Sequence, residues 1–561
     1  MDASAPAFEP ADAAASESTD AAASKSTDAA ASEQAGAAAS GARSLRIHRA
    51  PTTTGSSFEN EKTVSTTESL APDAAASPAD SAGSESRREA GPPGPGTAPT
   101  ARGGLPALAM RLHFYAGVFV APFILIAAVT GALYAIAPTL EQVVSRDLLT
   151  VDATGTARPL AEQVEAATAV RPDLALVAVA PAPGPTDTTR VLFADPTLGE
   201  SERRAVFVDP YTARAVGDAV VYGSSGALPL RTWIDHLHRD LHLGEFGRLY
   251  SELAASWLWI VALAGLVLWW RRVRQRRARN SPAWLLAPDR SRPGRLRGMN
   301  WHGALGVWLL PLVLLLSVTG MTWSAYAGAN IGDLRAQLSW TTPAVSTELS
   351  GAAPASDHGG DHHHGGGATP PAGASAGRGG DIERAQLAAR AAGIAQAVEI
   401  TVPAGPEQAY TVKERRMPGI YTVDAVAVDG ATGAITDRLP YADWPLMAKL
   451  TNWGIQFHMG LMFGLANQLL LLAAMVGLVV VIVLGYRMWW QRRPTRGAAR
   501  IPLGRAPRRG ALRASRPWLV VPLLAAAVLV GWFVPLVGVS LLGFLVVDAL
   551  VGLRHRVRRA A

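Results

Sequence analysis

Five histidines, His113, His238, His242, His302 and His458, lie in or beside long apolar runs in which ionisable side chains are otherwise scarce. An ionisable group at membrane depth is costly and tends to mark function, whereas a histidine at an interface can simply face headgroup water. One such residue would prove little, but these occur at duplicated positions. Bis-imidazole ligation of a b-type haem needs one His from each of two facing helices, with small residues beside them to admit the macrocycle. Gly117, Gly244, Gly306 and Gly460 would supply that space. Zinc or copper would need three or four ligands converging in one shell. The sequence instead puts His113 and His302 toward one membrane face and His238, His242 and His458 toward the other, an arrangement better suited to two haems b. His238 and His242 stand at i and i+4 on one helical face, so either could reach the same cofactor. Cysteine is absent from the 561 residues, which excludes disulfides, thiolate-held iron–sulfur clusters and CxxCH haem attachment.

The elements that must position these residues are apolar segments at roughly 112–137, 253–270, 302–326 and 461–486, each long enough to span a hydrocarbon core of about 30 Å. The spans fall within 105–137, 236–272, 299–326 and 451–490. A further apolar stretch at 517–553, with Pro535 and Gly538 near its middle, reads as a hairpin of two short helices. The chain repeats itself: RLHFYAGVFVAPFILIAAVTG at 111–131 aligns without gaps on NWHGALGVWLLPLVLLLSVTG at 300–320, matching His113, Gly117, Pro122, Thr130 and Gly131 with His302, Gly306, Pro311, Thr319 and Gly320. LHRDLHLGEFGRL at 237–249 and FHMGLMFGLAN at 457–467 open the second and fourth spans, each followed by a Trp pair, Trp269–Trp270 and Trp489–Trp490. Arginines crowd the ends of these spans, Arg271 to Arg279 and Arg487 to Arg496, so the loops 273–298 and 491–516, both termini and the basic tail 554–561 should be cytoplasmic.

Two polar insertions, 138–235 and 327–450, then lie outside, each expected to hold a helix followed by a strand pair. Their hairpins VFVDPYTARAV and VAVDGATGAI match Asp209 and Thr212 with Asp429 and Thr432, a pattern that turn geometry alone explains. The fold class expected is therefore an α-helical integral membrane bundle, four core transmembrane helices plus a C-terminal helical hairpin, with two small external α+β modules. Residues 1–104, rich in Ala, Ser and repeated DAAAS units, read as a disordered cytoplasmic tail. DHGGDHHHGGG at 357–367 offers His358, His362, His363 and His364 for low-affinity metal capture in a Gly-rich loop, against a solvated linker. Met459 and Met462 read as packing residues. The net charge of +7 sits in arginines beside the apolar runs, where membrane anchoring explains it and nucleic-acid binding is not implied.

The order of elements, the LHxxLxLGxxGR and HxGxxFG signatures, the VD-x-x-T hairpins and the C-terminal hairpin resemble the PepSY-associated transmembrane family, over about 105–553. That family includes iron-regulated membrane proteins and haem-containing ferric-siderophore reductases. The resemblance implies that the two insertions are PepSY-like modules, and that His113, His238, His302 and His458 are the family's intramembrane histidines, with His242 shared by only some members. The activity it implies is electron transfer through the plasma membrane to an external ferric chelate or other metal. No G-x-G-x-x-G follows an expected strand and no P-loop occurs, so a separate cytoplasmic or membrane electron donor is required. A metal-uptake transport component and a regulatory module without redox activity are the alternatives. Transport is disfavoured because the span centres are apolar apart from small residues such as Thr130 and Thr319.

Overall fold

The computed structural model describes residues 105–349 except 292, 377–492 and 517–560. The N-terminal segment 1–104, the His-rich tract 357–367 and most of the loop 491–516 lie outside the described residues. Helices α1 (Leu105–Phe119) and α2 (Ala121–Val144) form one near-continuous rod. The Val120 N–H still donates to Ala116 O at 2.8 Å, and Pro122, which has no N–H to lose, opens the second piece. A short α3 (Arg146–Leu149) leads to α4 (Leu160–Val170) and strands β1 (Ala175–Ala180), β2 (Thr189–Ala194), β3 (Glu202–Asp209) and β4 (Arg214–Tyr222). Then come α5 (Pro229–Arg239), the long α6 (Glu245–Arg277), α7 (Arg295–Met321) and α8 (Tyr326–Gln337). The second insertion contributes α9 (Gly379–Ala391) and strands β5 (Val398–Thr401), β6 (Tyr410–Glu414), β7 (Ala425–Val428) and β8 (Ile435–Leu439). The chain ends with α10 (Leu446–His458), α11 (Leu465–Trp490), α12 (Pro517–Phe533) and α13 (Pro535–Ala560).

Among the described residues, α2, α6, α7, α11 and α13 are long and apolar enough to cross a membrane, and α12 is a shorter apolar helix. The protein is thus a helical membrane protein. Lipid is the natural partner for Leu469, Leu470, Val480 and Val483, which α11 leaves exposed. The hairpin turns at Val534 as expected, and its two arms cross where a Cβ on Gly538 would lie 2.9 Å from the Gly531 Cα. Trp257 Nε1 donates to Ser540 Oγ at 2.9 Å and Arg111 pairs with Asp548 at 3.0 Å, which fastens α13 to the bundle.

The insertions depart from expectation in two ways. Each holds four strands rather than a pair, and the two are one body: an eight-stranded antiparallel sheet in the order β4-β3-β2-β1-β5-β6-β7-β8. The seam is β1 against β5, with Ala178 opposite Thr401 and Val179 opposite Ile400, extended by the Val402 N–H donating to Val177 O. Joining the edges removes one exposed strand edge from each module. Under the seam α4 and α9 pack together, so closely that a Cβ on Gly379 would sit 3.0 Å from the Ala161 Cα. Val164, Val179, Val206, Ile382, Ile400 and Val412 form one shared core, each at most 1% exposed. Both hairpins are structural, as their sequences imply: Thr212 donates to Asp209 Oδ2 at 2.7 Å and Thr432 to Asp429 Oδ2 at 2.6 Å.

Candidate functional site

Four of the five histidines form two pairs, and each ring is held in the same manner. His113 on α1 and His302 near the start of α7 approach with ring centroids 6.0 Å apart and ring planes at 75°. His113 Nδ1 lies 2.9 Å from Val261 O on α6, and His302 Nδ1 lies 2.9 Å from Val481 O on α11. Opposite each ring edge is a glycine: a Cβ on Gly265 would fall 2.9 Å from His113 Cε1, and one on Gly485 3.5 Å from His302 Cε1. Val261 and Val481, like Gly265 and Gly485, occupy equivalent positions of the two repeats.

The second pair sits toward the sheet, about 25 Å away by helical rise. His238 Nδ1 is 2.9 Å from Thr130 Oγ1 of α2, and His458 Nδ1 is 2.7 Å from Thr319 Oγ1 of α7. Next to each threonine is a glycine facing the ring, Gly131 at 3.1 Å from His238 Cε1 and Gly320 at 3.6 Å from His458 Cε1, measured from an added Cβ. Tyr134 stacks on His238 with centroids 6.3 Å apart, and Trp323 meets His458 edge-on at 5.4 Å.

These partners decide the tautomers. A carbonyl oxygen only accepts, so His113 and His302 must donate from Nδ1. Thr130 gives its own proton to Ile126 O at 2.9 Å and Thr319 gives its to Leu315 O at 2.8 Å, so toward histidine each hydroxyl accepts and Nδ1 again carries the hydrogen. In their neutral form all four imidazoles then carry the hydrogen on Nδ1 and a lone pair on Nε2, and among the described residues no hydrogen bond reaches Nε2. This is the form in which histidine binds a metal, its other nitrogen oriented by a hydrogen bond. The inner ring centroids, 6.0 Å apart, are within the span of two imidazoles that would share one metal at about 2 Å per bond. One helical turn beyond His113 and His302, a Cβ on Gly117 or Gly306 would meet nothing within 4 Å, so both glycines border open space. The inner donor set would therefore suit a bis-imidazole haem, and the outer rings present the same Nδ1-held form. Among the described residues no three His, Asp or Glu converge as a zinc or copper site would require.

Residues 110–492 match the family model of the PepSY-associated TM region. The chain belongs to that family. No curated protein matches the chain at a significant level. The match covers both spans of each repeat and the whole sheet, and leaves the hairpin α12–α13 outside.

Within this PepSY-associated TM region, several residues stand differently from expectation. His242 does not share a helical face with His238, because α5 ends at Arg239 and His242 follows in a turn at φ 55°. It is exposed, with Nε2 3.1 Å from Trp233 O. The Trp pairs give the correct alignment, in which His238 answers His458 and Gly244 answers Gly464. Those two glycines cap α6 and α11 with nearly the same backbone angles, φ 57° and 55°. Gly244 and Gly460 are glycines because their φ is positive, and Gly460 borders Gln468 and Ala135 O rather than open space. His238 and His458 do not open the spans; they end the short helices before them. Met459 packs against Tyr134, Ala137 and Ile234. Val261, Val481, Gly265 and Gly485 carry no sequence signal that marks them as neighbours of the histidines.

Proposed function

We propose that this protein carries electrons across the membrane through two b-type haems, one held by His113 and His302 and the other by His238 and His458. It would deliver them to an external ferric chelate. The observation that carries this reading is that all four rings present a free Nε2 lone pair, in pairs near opposite ends of the bundle. Haem iron, once bound, supplies reversible one-electron chemistry. The protein's own contribution is orientation and exclusion. Val261 O, Val481 O, Thr130 and Thr319 fix the ring planes, the four glycines facing the rings leave them room, and Val120, Ile124, Ala128, Trp257 and Leu478 keep the space between the pairs dry. The arginines Arg271 to Arg279 argue for a cytoplasmic donor side, which places the sheet and the outer pair on the acceptor side. The plasma membrane is the matching location. A donor in the cytoplasm or the membrane completes the path, since the chain carries no nicotinamide or flavin motif.

The test is a visible spectrum of the purified, full-length protein, oxidised and reduced, with haem quantified per chain. Two haems per chain with bis-histidine spectra are expected. A haem-free protein expressed under haem-replete conditions would refute the proposal. A reporter fused within 327–450 should read as external and one at 275–298 as cytoplasmic; the reverse would exchange the donor and acceptor faces.

A further inference from the structure

Between the sheet and the outer histidine pair, arginines from both modules close on one four-residue turn, Gly223–Gly226, which joins β4 to α5. Arg190 of β2 donates to Gly226 O at 3.2 Å, and Arg231 of α5 to Ser225 Oγ at 3.1 Å. Arg416, just after β6, donates to Ser224 Oγ at 3.2 Å. Arg415 reaches the same place: a Cβ on Gly226 would lie 3.3 Å from Arg190 Nη1 and 3.5 Å from Arg415 Nη2. The compensating negative charge is shared among more guanidiniums than carboxylates: Glu399, paired with Arg203 at 3.1 Å, also faces Arg415. Arg231 pairs with Glu141 at 3.6 Å, and Glu141 is already engaged in accepting from the Leu228 N–H at 2.6 Å. Arg190 and Arg415 form no ion pair among the described residues, and Arg415 Nε is buried without a hydrogen-bond partner. Burial, and next the neighbouring Arg415, pull the Arg190 guanidinium down to about 9, against the opposing influence of Glu141 and Asp187. The cluster is also joined to both outer ligand helices. The turn runs directly into α5, which carries His238, and Arg416 Nε donates to Asn452 Oδ1 at 2.9 Å on α10, which carries His458.

We propose that Arg190, Arg415 and the Gly223–Gly226 turn form a binding site for a carboxylate-bearing anion, seated above the outer histidine pair and reached past the exposed Ser224. Guanidinium groups recognise carboxylates through paired N–H donors, and an anion here would add to the carboxylates Glu141 and Glu399, which are already shared with Arg231 and Arg203. The site is assembled only when the two modules join at β1 and β5, because Arg190 and Arg415 come from different halves of the sheet. This gives the fused sheet a role that two separate modules could not fill. That the anion is the external acceptor, presented by its carboxylates to the outer haem, rests on the electron-transfer reading; the anion site itself does not.

The probe is citrate, titrated by calorimetry into the full-length protein in zwitterionic-lipid nanodiscs, together with haem quantification. Binding that weakens with added salt is expected, as is a loss of roughly 10- to 100-fold in Arg415→Gln and in Arg190→Gln, with haem content unchanged. A cationic ferric trihydroxamate should bind without regard to either substitution. Because a variant could fail to fold, the unmodified protein provides a second readout: citrate should protect Arg190 and Arg415 from phenylglyoxal, read by peptide mass. The proposal is overturned by equal citrate affinity in wild type and both variants, by absence of protection, or by loss of haem in place of loss of citrate. The last result would give these arginines to the haem's own carboxylates. Citrate binding that depends on Arg415 in a haem-free protein would support the anion site while defeating the electron-transfer reading.

Discussion

The inner and outer histidine pairs solve one problem with different parts. At the inner pair, Nδ1 donates to a backbone carbonyl, Val261 O or Val481 O, which any residue at those positions would offer. At the outer pair it donates to a hydroxyl, Thr130 or Thr319, which one substitution removes. The inner orientation is thus built into helix packing, and the outer one into side-chain identity. The ligand helices differ as well. His113 and His302 sit within the apolar helices α1 and α7, while His238 and His458 end short helices leading out of the sheet. A change in the sheet can therefore move the outer rings and leave the inner ones in place.

The largest expected effect comes from removing one ligand of each kind. His302→Ala should keep about half the haem, all of it at the outer site, and His458→Ala about half, all of it inner, because each substitution deletes one axial ligand. Electron flow from a cytoplasmic donor to an external ferric chelate should collapse in both, since a series path fails at either station. Stopped-flow reduction from each side, with haem quantified, separates the two sites. Full haem and unimpaired transfer in both variants would reduce these histidines to packing residues.

The next effect concerns space. Gly306→Leu puts a side chain into the open region beside the inner ring and should evict the inner haem while the helical circular dichroism stays unchanged. Gly460→Leu is expected to act by another route. Its backbone stands at φ 74°, so any L-side chain there costs about 1–2 kcal/mol of strain and lowers thermal stability whether or not haem is bound. Equal haem loss with equal destabilisation in both variants would erase the distinction between a glycine that makes room and one that makes a turn.

Thr319→Val tests the difference in orientation most directly. It is nearly isosteric and removes the acceptor 2.7 Å from His458 Nδ1 together with a local bond to Leu315 O in its own helix, so the outer haem should be retained about 10- to 100-fold less tightly while the inner one is untouched. No side-chain deletion can produce the inner counterpart. Replacing Val261 or Val481 by Ala should leave inner haem content as it is, because the accepting oxygen belongs to the backbone. A loss of inner haem in Val481→Ala would show that the valine side chain, not its carbonyl, positions His302.

How far the sequence reveals this arrangement follows from which atoms do the work. Ligand identity is legible where side chains carry it: His113 and His302 align without gaps, and Thr130 and Thr319 align with them, although nothing marks the threonines as histidine partners. The Val261 and Val481 carbonyls are invisible, since every residue has one, and Gly265 and Gly485 look like ordinary small residues of a membrane helix. The expectation for His242 failed because the end of α5 at Arg239 has no Gly or Pro beside it to announce a stop; Leu241 and His242 take positive φ without glycine. The fused sheet was hidden for a different reason. β1 and β5 pair through only a few residues between distant segments, and any apolar edge strand could have made that contact.

The smallest effect lies in the two hairpins, where the repeats look most alike. Asp429 accepts from Thr432 Oγ1 at 2.6 Å and from the Ala431 N–H at 2.9 Å, while Asp209 accepts from Thr212 at 2.7 Å and from the Tyr211 N–H at 2.8 Å. The Asp429 carboxyl is held below its ordinary value, first by the Thr432 hydroxyl and then by the Ala431 N–H. A carboxylate whose folded pKa is depressed stabilises the fold fully above its unfolded value, near 3.8, and that contribution is lost as pH falls through the lower folded value. Protection of the β7–β8 amides from hydrogen exchange, corrected for intrinsic rates, should therefore be flat from neutral pH down to about 5 and weaken below 4. Asp429→Asn keeps an acceptor oxygen and removes the charge, so this pH dependence should vanish with little loss of protection at neutral pH. Asp429→Ala should cost about 1 kcal/mol locally at every pH. Haem content should not change in either variant, because the hairpin lies at the far edge of the sheet from the seam. If Asp429→Ala were to release the outer haem, the sheet would be transmitting strain from its edge through α10 to His458, and the hairpin would belong to the outer site.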